Sequence, residues 1–299
     1  MQKKVSVIIP FYSHKEWLAE SLQSVFNQTF QDFEVILVND GSKEDITDVI
    51  GQYGERILYF EQENQGPAAA RNLGISKASG RYIAFEDSDD IWLLEKLEKQ
   101  VAFMEERGLV WSHTGFNYWW PETGKLKTID VSLEYGDIYF QRHVASKIAT
   151  PCVMIDRAFL MESGLRFPTY IRNGEDSELW TNLAKHNPIG LIEEPLTNVR
   201  MRGGNSYACA IDRFRLWAGT YAKMKENPES LPKGIIRIKH IYYIYAKMFS
   251  GKVTPCKEFL AKCLWTIPYT IERVYVKLLA RMSKKEEKYI VRYSGKHNK

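Results

Sequence analysis

The sequence predicts an α/β fold built on an open, largely parallel sheet. Short β-branched apolar runs alternate with segments whose apolar residues recur at helical spacing, which is typical of consecutive strand–helix–strand units. Polar and acidic residues follow directly after the apolar runs. Because ligands in open α/β sheets bind outside the carboxyl ends of the strands, we expect a Rossmann-like sheet with its functional site along one edge.

The first two strands and the helix between them have the clearest patterns. Residues 5–9 and 34–38 are apolar runs of the kind found in buried parallel strands. Residues 14–27 carry apolar side chains at helical spacing. The alternation then continues with a helix at 44–53, a strand at 57–60, a helix at 67–78 and a strand at 82–86.

Three groups of residues follow predicted strands and are expected to converge. Residues 10–12 follow the first strand, Asp40 follows the second, and Asp87 and Asp89 follow the strand that ends near residue 86. Mg²⁺ and Mn²⁺ prefer oxygen ligands and usually take one or two protein carboxylates, with substrate phosphates completing the shell. The sequence therefore predicts a metal–diphosphate site.

Two common nucleotide-binding motifs are absent from the sequence. A dinucleotide-binding domain needs Gly-x-Gly-x-x-Gly after its first strand, and residues 10–14 contain no glycine. No Gly-x-x-x-x-Gly-Lys-Ser/Thr loop occurs, which excludes ATP hydrolysis of the P-loop kind. A sugar-nucleotide pyrophosphorylase would carry a Gly-rich Thr-Arg loop after the first strand, and that loop is also missing.

Five motifs, in order along the chain, resemble the family 2 glycosyltransferases of GT-A fold. The resemblance spans residues 5–206 and implies inverting transfer of a sugar from a nucleotide diphosphate-sugar, usually UDP-linked, to an acceptor hydroxyl. It also implies a divalent cation, Mn²⁺ or Mg²⁺, and no covalent intermediate. The motifs are Val-Ser-Val-Ile-Ile-Pro-Phe-Tyr (5–12), Val-Asn-Asp-Gly-Ser (38–42), Asn-Gln-Gly-Pro-Ala-Ala-Ala-Arg-Asn-Leu-Gly (64–74), Phe-Glu-Asp-Ser-Asp-Asp-Ile-Trp (85–92) and Gly-Glu-Asp-Ser-Glu-Leu-Trp (174–180).

On the donor side, the resemblance implies a role for each matching residue. Pro10 and Tyr12 line the nucleoside pocket, and Tyr12 stacks on the base. Asp40 accepts a hydrogen bond from the uracil imide, and Arg71 lies near the base or the diphosphate. Asp87 reaches the ribose or the metal.

On the catalytic side, the resemblance implies that Asp89 binds the cation directly and that Asp176 is the general base. Arg200 and Arg202, in the closing basic stretch, are the implied diphosphate contacts, although the family's usual aromatic residue before the first arginine is missing. Two further residues depart from the family pattern. They are Ser13, where asparagine is common, and Glu86, where leucine is common.

The chemistry of the reaction independently requires a carboxylate near the acceptor. Direct displacement at an anomeric carbon needs a base for the acceptor's proton, and a cation with basic groups to neutralise the leaving diphosphate. Glu175 and Asp176 follow a predicted turn at Gly174 and precede a helical run, so either can supply that carboxylate. We expect Asp176 to be the base and Glu175 to support it, with the geometry deciding between them.

An aromatic run, Phe-Asn-Tyr-Trp-Trp at residues 116–120, precedes a Pro-Glu-Thr-Gly turn and predicts one arm of a hairpin. Aromatic side chains pack in cores and also stack on the apolar faces of sugars. The sequence leaves both roles open for this run.

Charge divides the chain near residue 212. Residues 213–299 hold 20 Lys and Arg against 6 Asp and Glu, a formal charge of +14, whereas residues 1–212 carry −10. We predict a glycosyltransferase domain at 1–212, with a nucleotide-binding half (1–110) and an acceptor half (111–212). Residues 213–299 are predicted to form a basic amphipathic helical extension.

The extension alternates apolar and basic positions at helical spacing, which fits helices lying on an anionic membrane surface. The alternative is packing on the catalytic domain or on a second subunit, as in a homodimer. No recognised nucleic-acid motif accompanies the charge, so no nucleic-acid partner is expected.

Cellular location follows from three sequence features. The four cysteines show no Cys-x-x-Cys spacing, the first residues show no signal-peptide pattern, and no run of 18 or more uncharged apolar residues occurs. We expect a cytoplasmic protein associated peripherally with the inner face of the membrane.

The leading function is a hexosyl- or N-acetylhexosaminyltransferase that uses a UDP-sugar to extend a surface polysaccharide or lipid-linked glycan. The alternative is a non-catalytic sugar-nucleotide-binding scaffold for a partner synthase.

Overall fold

The computed structural model describes residues 3–143, 147–171, 174–202, 214, 218, 221, 233–252, 254–282 and 285–293. The chain divides into two compact units. The first comprises Met1–Asp137, Lys147–Met201 and Lys285–Lys299, and the second comprises Ile138–Ser146 and Arg202–Lys284. The predicted boundary at residue 212 lies outside the described residues. The first unit is not continuous in sequence. Residues 138–146 belong to the second unit, and the chain returns to the first unit at Lys285.

Ten strands within the described residues form one sheet in the first unit. Across the sheet the order is β10-β9-β6-β8-β4-β1-β2-β3, with β5 paired to β9 and β7 paired to β6. The neighbours β4, β1, β2 and β3 are parallel, whereas β8 is antiparallel to both β4 and β6. The strands are β1 (Val5–Phe11), β2 (Phe33–Asp40), β3 (Ile57–Gln62), β4 (Tyr82–Phe85), β5 (Ile91–Trp92), β6 (Trp111–Trp120), β7 (Lys125–Thr128), β8 (Val153–Asp156), β9 (Gly190–Arg200) and β10 (Ile290–Val291).

The helices fall on both units. In chain order they are α1 (Lys15–Phe26), α2 (Thr47–Gly51), α3 (Pro67–Lys77), α4 (Lys96–Arg107), α5 (Tyr139–Arg142), α6 (Arg157–Glu162), α7 (Glu175–Ala184), α8 (Lys233–Met248) and α9 (Pro255–Met282). The order of strands and helices predicted between residues 5 and 86 is confirmed, and the aromatic run forms the end of β6 in the β6–β7 hairpin.

One predicted helix is shorter than its apolar pattern indicated. The helix expected over residues 44–53 is α helical only at Thr47–Gly51. The Asp45 carboxylate accepts hydrogen bonds from the backbone N–H and the hydroxyl of Thr47, at 3.0 and 2.7 Å. Such a side-chain turn competes with helical hydrogen bonding, so the helix begins only after it.

Helix α3 packs unusually close to the central strand β1. Gly74 makes this possible, because a Cβ atom at that position would lie 2.4 Å from Cγ2 of Ile8, a fully buried residue. The strands beneath are mostly apolar, as expected for a sheet covered on both faces. The close contact fixes the helix that carries Arg71, one turn before Gly74.

The second unit is mainly helical in the described residues. Helices α8 and α9 confirm that this part of the chain contains helices, as predicted. Its buried residues include Phe214, Ile235, Tyr242, Ala261 and Leu279. Among the described helices, none has both the length and the apolar composition that crossing a membrane requires.

Candidate active site

The predicted donor-side residues lie at the carboxyl ends of three neighbouring parallel strands, β4, β1 and β2. Tyr12 follows β1 and is 55% exposed, whereas Pro10 is partly buried within the strand. The loop after Tyr12 is fixed by Glu44, whose carboxylate accepts hydrogen bonds from the backbone N–H groups of His14 and Lys15 at 2.9 and 2.7 Å. These bonds lower the pKa of Glu44, so the carboxylate stays charged at the start of α1. The exposed ring of Tyr12 is therefore carried on an anchored loop.

Asp40, at the end of β2, accepts three hydrogen bonds from residues 62–66. Its Oδ1 accepts hydrogen bonds from the side chain of Gln62 (2.8 Å) and the backbone N–H of Gln65 (2.9 Å), and its Oδ2 accepts one from the backbone N–H of Gly66 (2.8 Å). Asp40 thereby holds the loop that leads into α3. A carboxylate can accept about four hydrogen bonds, so these three leave room for another. The hydrogen bond from a uracil imide to Asp40 stays a prediction.

Asp87 and Asp89 lie in a tight turn after β4. The backbone N–H of Asp90 donates to the carbonyl of Asp87 at 3.0 Å, which closes the turn. Asp89 is 8% exposed and Asp87 is more open. We refer to residues 87–90 as the metal turn.

The donor set of the metal turn suits a cation that is shared with a substrate. No group of three or more His, Cys, Asp or Glu side chains within the described residues is placed to hold a metal ion by itself. Two carboxylates completed by diphosphate oxygens are, however, the arrangement that Mg²⁺ and Mn²⁺ commonly accept. The residues present therefore fit a cation that binds together with a nucleotide diphosphate.

Arg71 joins the metal turn to the carboxylates of α7. Its Nη2 donates to Asp87 Oδ1 at 2.6 Å, and its Nη1 donates to Glu175 Oε1 at 3.1 Å. Burial by itself would lower the pKa of this guanidinium, but the charges of Asp87 and Glu175 outweigh burial and raise it above its ordinary value. Arg71 is thus a permanently charged link between two motifs that are far apart in sequence. Its predicted contact with a base or diphosphate stays a prediction.

The two candidate base residues have different surroundings. Glu175 is buried against Arg71, and burial raises its pKa above the ordinary value while Arg71 opposes that rise. Asp176 is more exposed; its Oδ2 accepts a hydrogen bond from the Thr150 hydroxyl at 3.2 Å. Gly174, at φ 85°, provides the left-handed turn that starts α7. Asp176 is thus the more accessible of the two carboxylates, and the assignment of Asp176 as base and Glu175 as its support stays a prediction.

Arg200, the last residue of β9, is bound to the metal turn from the other side. Its Nε donates to the carbonyl of Asp89 at 2.7 Å, and its backbone N–H donates to Asp90 Oδ1 at 2.8 Å. It also forms an ion pair with Glu20. These bonds give Arg200 a role in holding the turn, and its diphosphate contact stays a prediction. Arg202 is exposed and falls in the second unit, and residues 203–206 of the same stretch lie outside the described residues.

Sequence reasoning missed a buried acidic and a buried basic side chain behind the metal turn. Glu86 and Lys96 are both fully buried, and neither side chain makes a hydrogen bond within the described residues. Lys96 Nζ lies 3.7 Å from the ring centroid of Trp92, a cation–π contact. Burial raises the pKa of Glu86 well above its ordinary value and lowers the pKa of Lys96 to about 7. The sequence signal was the departure from leucine at Glu86, but no pattern linked it to Lys96.

A family profile and similar proteins of known sequence all point to the same protein family. Residues 6–160 match the profile of Glycosyl transferase family 2. The chain is 45% identical over 254 residues to an uncharacterized glycosyltransferase of Rickettsia bellii, covering 84% of this chain and 34% of that relative. It is 37% identical over 188 residues to the putative teichuronic acid biosynthesis glycosyltransferase TuaG of Bacillus subtilis, covering 60% of this chain and 72% of that one. The chain thus spans about a third of the length of the Rickettsia bellii relative.

Two solved structures have a similar fold. S. aureus TarS 1–349 in complex with UDP-GlcNAc matches with a TM-score of 0.59 at 21% identity, over 74% of this chain and 66% of that one. The mannosyltransferase PcManGT from Pyrobaculum calidifontis, in complex with GDP-Man and Mn²⁺, matches with a TM-score of 0.59 at 17% identity, over 94% of this chain and 86% of that one. At these identities the likeness concerns the fold.

Proposed function

Because this chain belongs to glycosyl transferase family 2, we propose that it transfers a hexose or N-acetylhexosamine from a UDP-sugar to a hydroxyl of a growing surface polysaccharide or lipid-linked glycan. The chain belongs to a glycosyltransferase family and has a GT-A fold. The donor, the acceptor, inversion at the anomeric carbon and the use of Mn²⁺ or Mg²⁺ are the proposal. The observation that carries it is the Arg71 link, which brings the metal turn and the start of α7 into one site.

The donor side of the proposal rests on the ends of β1, β2 and β4. Tyr12 offers an exposed ring for stacking on the base, with Pro10 beside it and Asp40 accepting from the imide. Asp87 and Asp89 would hold the cation. A bound cation supplies positive charge that offsets the negative charge developing on the leaving diphosphate.

The acceptor side of the proposal rests on Asp176. This carboxylate takes the proton from the acceptor hydroxyl as the acceptor oxygen bonds to the anomeric carbon and the bond to the diphosphate oxygen breaks. The Thr150 hydroxyl orients one carboxylate oxygen of Asp176. Glu175, held by Arg71, fixes the first turn of α7, so that Asp176 does not have to be ordered during the reaction.

The names of similar proteins support this choice of substrates. The TarS complex contains UDP-GlcNAc, and the mannosyltransferase complex contains GDP-Man and Mn²⁺, which supports a nucleotide-sugar donor and a divalent cation. The name of TuaG supports a role in polysaccharide synthesis. GDP is therefore the principal competitor of UDP in any test.

We further propose that the protein works at the inner face of the membrane, in the cytoplasm, with the basic residues of the segment 213–284 drawn to anionic lipid. The exposed side of α9 carries apolar and basic side chains together, which supports this proposal. They are Phe259, Leu260, Ile271, Val274 and Leu278, with Lys262, Arg273, Lys277 and Arg281.

A donor screen tests the proposed function. UDP-, GDP- and dTDP-linked hexoses and N-acetylhexosamines are incubated with the full chain, Mn²⁺ and a polyprenol-linked acceptor, and nucleotide release is measured. We expect acceptor-stimulated release of UDP from one donor. Release from a GDP-sugar alone would contradict the donor assignment, and tight UDP binding without turnover of any donor would support the non-catalytic scaffold instead.

A further inference from the structure

Four planar side chains beside the metal turn stack in a row: His14, Trp17, Arg200 and Trp119. The ring of His14 stacks on Trp17, with centroids 3.9 Å apart. The guanidinium carbon of Arg200 lies 5.2 Å from the Trp17 ring centroid and 4.5 Å from that of Trp119. Trp119 and Arg200 are register partners in the parallel pair β6–β9, so the contact follows directly from the sheet. We refer to Trp17, Arg200 and Trp119 as the aromatic platform.

The platform is attached to the proposed metal site by backbone hydrogen bonds. Arg200 Nε donates to the carbonyl of Asp89, and the Arg200 backbone N–H donates to Asp90 Oδ1. The two tryptophans therefore lie next to the turn that would hold the cation and the donor diphosphate. A group that rests on them is brought to the neighbourhood in which a sugar would be transferred.

The exposure of the two tryptophans differs from that of tryptophans in the nearby core. Trp92 is 2% exposed and Trp111 is fully buried, whereas Trp17 and Trp119 are both partly exposed. Glu20, which pairs with Arg200, is also solvent-exposed and places a carboxylate at the same surface. Partly exposed indole rings beside a carboxylate suit a saccharide, because sugars offer apolar C–H faces for stacking and hydroxyl groups for hydrogen bonding.

We propose that Trp17 and Trp119 form the stacking surface for the saccharide of the acceptor, with Glu20 accepting hydrogen bonds from its hydroxyl groups. This inference rests on the proposed function and assigns an acceptor subsite within it. Trp120, the next residue along β6, is excluded from the platform. Side chains alternate between faces along a strand, and Trp120 instead contacts Tyr118 and Lys125, with centroid distances of 6.4 and 5.4 Å.

The inference is tested by measuring saccharide binding directly. A panel of methyl glycosides of the common hexoses and N-acetylhexosamines is titrated into the full chain in the presence of UDP and Mg²⁺, with saturation-transfer NMR as the readout. We expect at least one glycoside to bind, and Trp119→Ala to weaken its binding by about tenfold, the upper end of what an aromatic contact contributes. Trp119→Phe should retain most of the binding, and the matched control Trp120→Ala should not change it. UDP affinity should be the same in all variants.

Several outcomes would overturn the inference. They are UDP binding without binding of any glycoside, equal losses in Trp119→Ala and Trp120→Ala, and a Trp119→Ala variant that binds the glycoside normally. Loss of UDP affinity in Trp119→Ala would assign the platform to the donor's base rather than to the acceptor. A wild-type protein that binds glycoside but no UDP would contradict the proposed function and leave the platform standing, so the two failures are distinguishable.

Discussion

At the residue scale, the charged side chains of the site form ion pairs and hydrogen bonds with one another. Arg71 is paired with Asp87 and Glu175, and Arg200 is bound to the turn that carries Asp89. Buried charges cost free energy unless they are paired and hydrogen-bonded, so these pairs keep the carboxylates in place before any ligand arrives. The proposed base, Asp176, is more exposed than Glu175, and its two carboxylate oxygens accept hydrogen bonds from the Thr150 hydroxyl and the Ser177 backbone N–H.

Asp176→Asn should fold and bind UDP normally but transfer sugar about 10²–10⁴ times more slowly, because removal of a general base typically has that effect. The measurements are UDP calorimetry and the initial rate of UDP release with acceptor present. Glu175→Gln is the matched comparison, and we expect a smaller loss of rate from it. A larger loss in Glu175→Gln, with donor binding intact, would reverse the assignment of the two roles.

Glu86 and Lys96 should be strongly coupled in stability. Removing one partner leaves the other ionisable group buried without its electrostatic partner, so Glu86→Leu and Lys96→Met should each destabilise the fold, by about 3–5 kcal/mol at most. The double variant should lie much closer to the wild type, because two apolar side chains then replace the pair. Urea unfolding measures all four proteins, and a double variant that loses the sum of the two single losses would contradict the coupling.

The same pair predicts a pH dependence of stability. The pKa of Lys96 is lowered from 10.5 to about 7 in the folded protein. Between these two values the unfolded chain binds a proton that the folded protein has released, so Lys96 contributes a stability that rises with pH across that window. Glu86 contributes in the opposite direction above its ordinary pKa, because burial raises its pKa in the folded protein. The rise should be absent in the Glu86→Leu/Lys96→Met variant, and the same urea series measures both slopes.

At the element scale, the sequence predicted the first half of the sheet well because hydrophobic periodicity is strong there. It could not predict the two-residue strand β10, whose pairing with β9 depends on contacts distant in sequence. Nor could it predict that Arg71 contacts Glu175, because the two residues are 104 positions apart and no local pattern connects them. Asp45 and Thr47, which form the side-chain turn that shortens α2, are visible in the sequence. The apolar spacing around them nevertheless predicted a longer helix.

Gly74→Ala should displace α3 and with it the Arg71 link. Its Cβ would lie 2.4 Å from Ile8 Cγ2, and overpacking of this kind costs about 1–3 kcal/mol. We expect lower stability in urea together with a slower transfer rate. Gly51→Ala, in α2, is the matched control, because nothing lies within 4 Å of the added Cβ and alanine is favoured over glycine in helices by about 1 kcal/mol. Equal stability of the two variants would contradict the account of α3 packing.

At the scale of the whole molecule, the opposite net charges of the N-terminal and C-terminal regions predict which region binds to a membrane surface. Residues 213–299 carry +14 and residues 1–212 carry −10, so we expect the C-terminal region to be the part attracted to anionic lipid. Each Lys or Arg near the surface contributes roughly 1 kcal/mol, an attraction that salt screens. The full chain should therefore co-sediment with vesicles that contain anionic lipid, and less so as ionic strength rises.

Charge reversal separates the proposed surface from general basicity. Arg273, Lys277 and Arg281 are exposed and spaced four residues apart on α9, so replacing all three with Glu should release the protein from vesicles. The control replaces Lys77, Lys125 and Lys127, which are exposed in the first unit, and has the same change in net charge. Equal loss of binding in both variants, or binding that ignores anionic lipid content, would favour packing or dimerisation as the role of α9.

The central claim is that UDP binds together with a cation held by the metal turn, and calorimetry of UDP with Mn²⁺ and with EDTA tests it most directly. We expect UDP to bind more tightly than GDP and to lose most of its affinity in EDTA. Asp89→Ala should lose the Mn²⁺-dependent part, whereas the control Asp90→Asn should keep it, because an asparagine oxygen can still accept the hydrogen bond from the Arg200 backbone. Equal UDP affinity in Mn²⁺ and EDTA, or unchanged binding in Asp89→Ala, would contradict the claim.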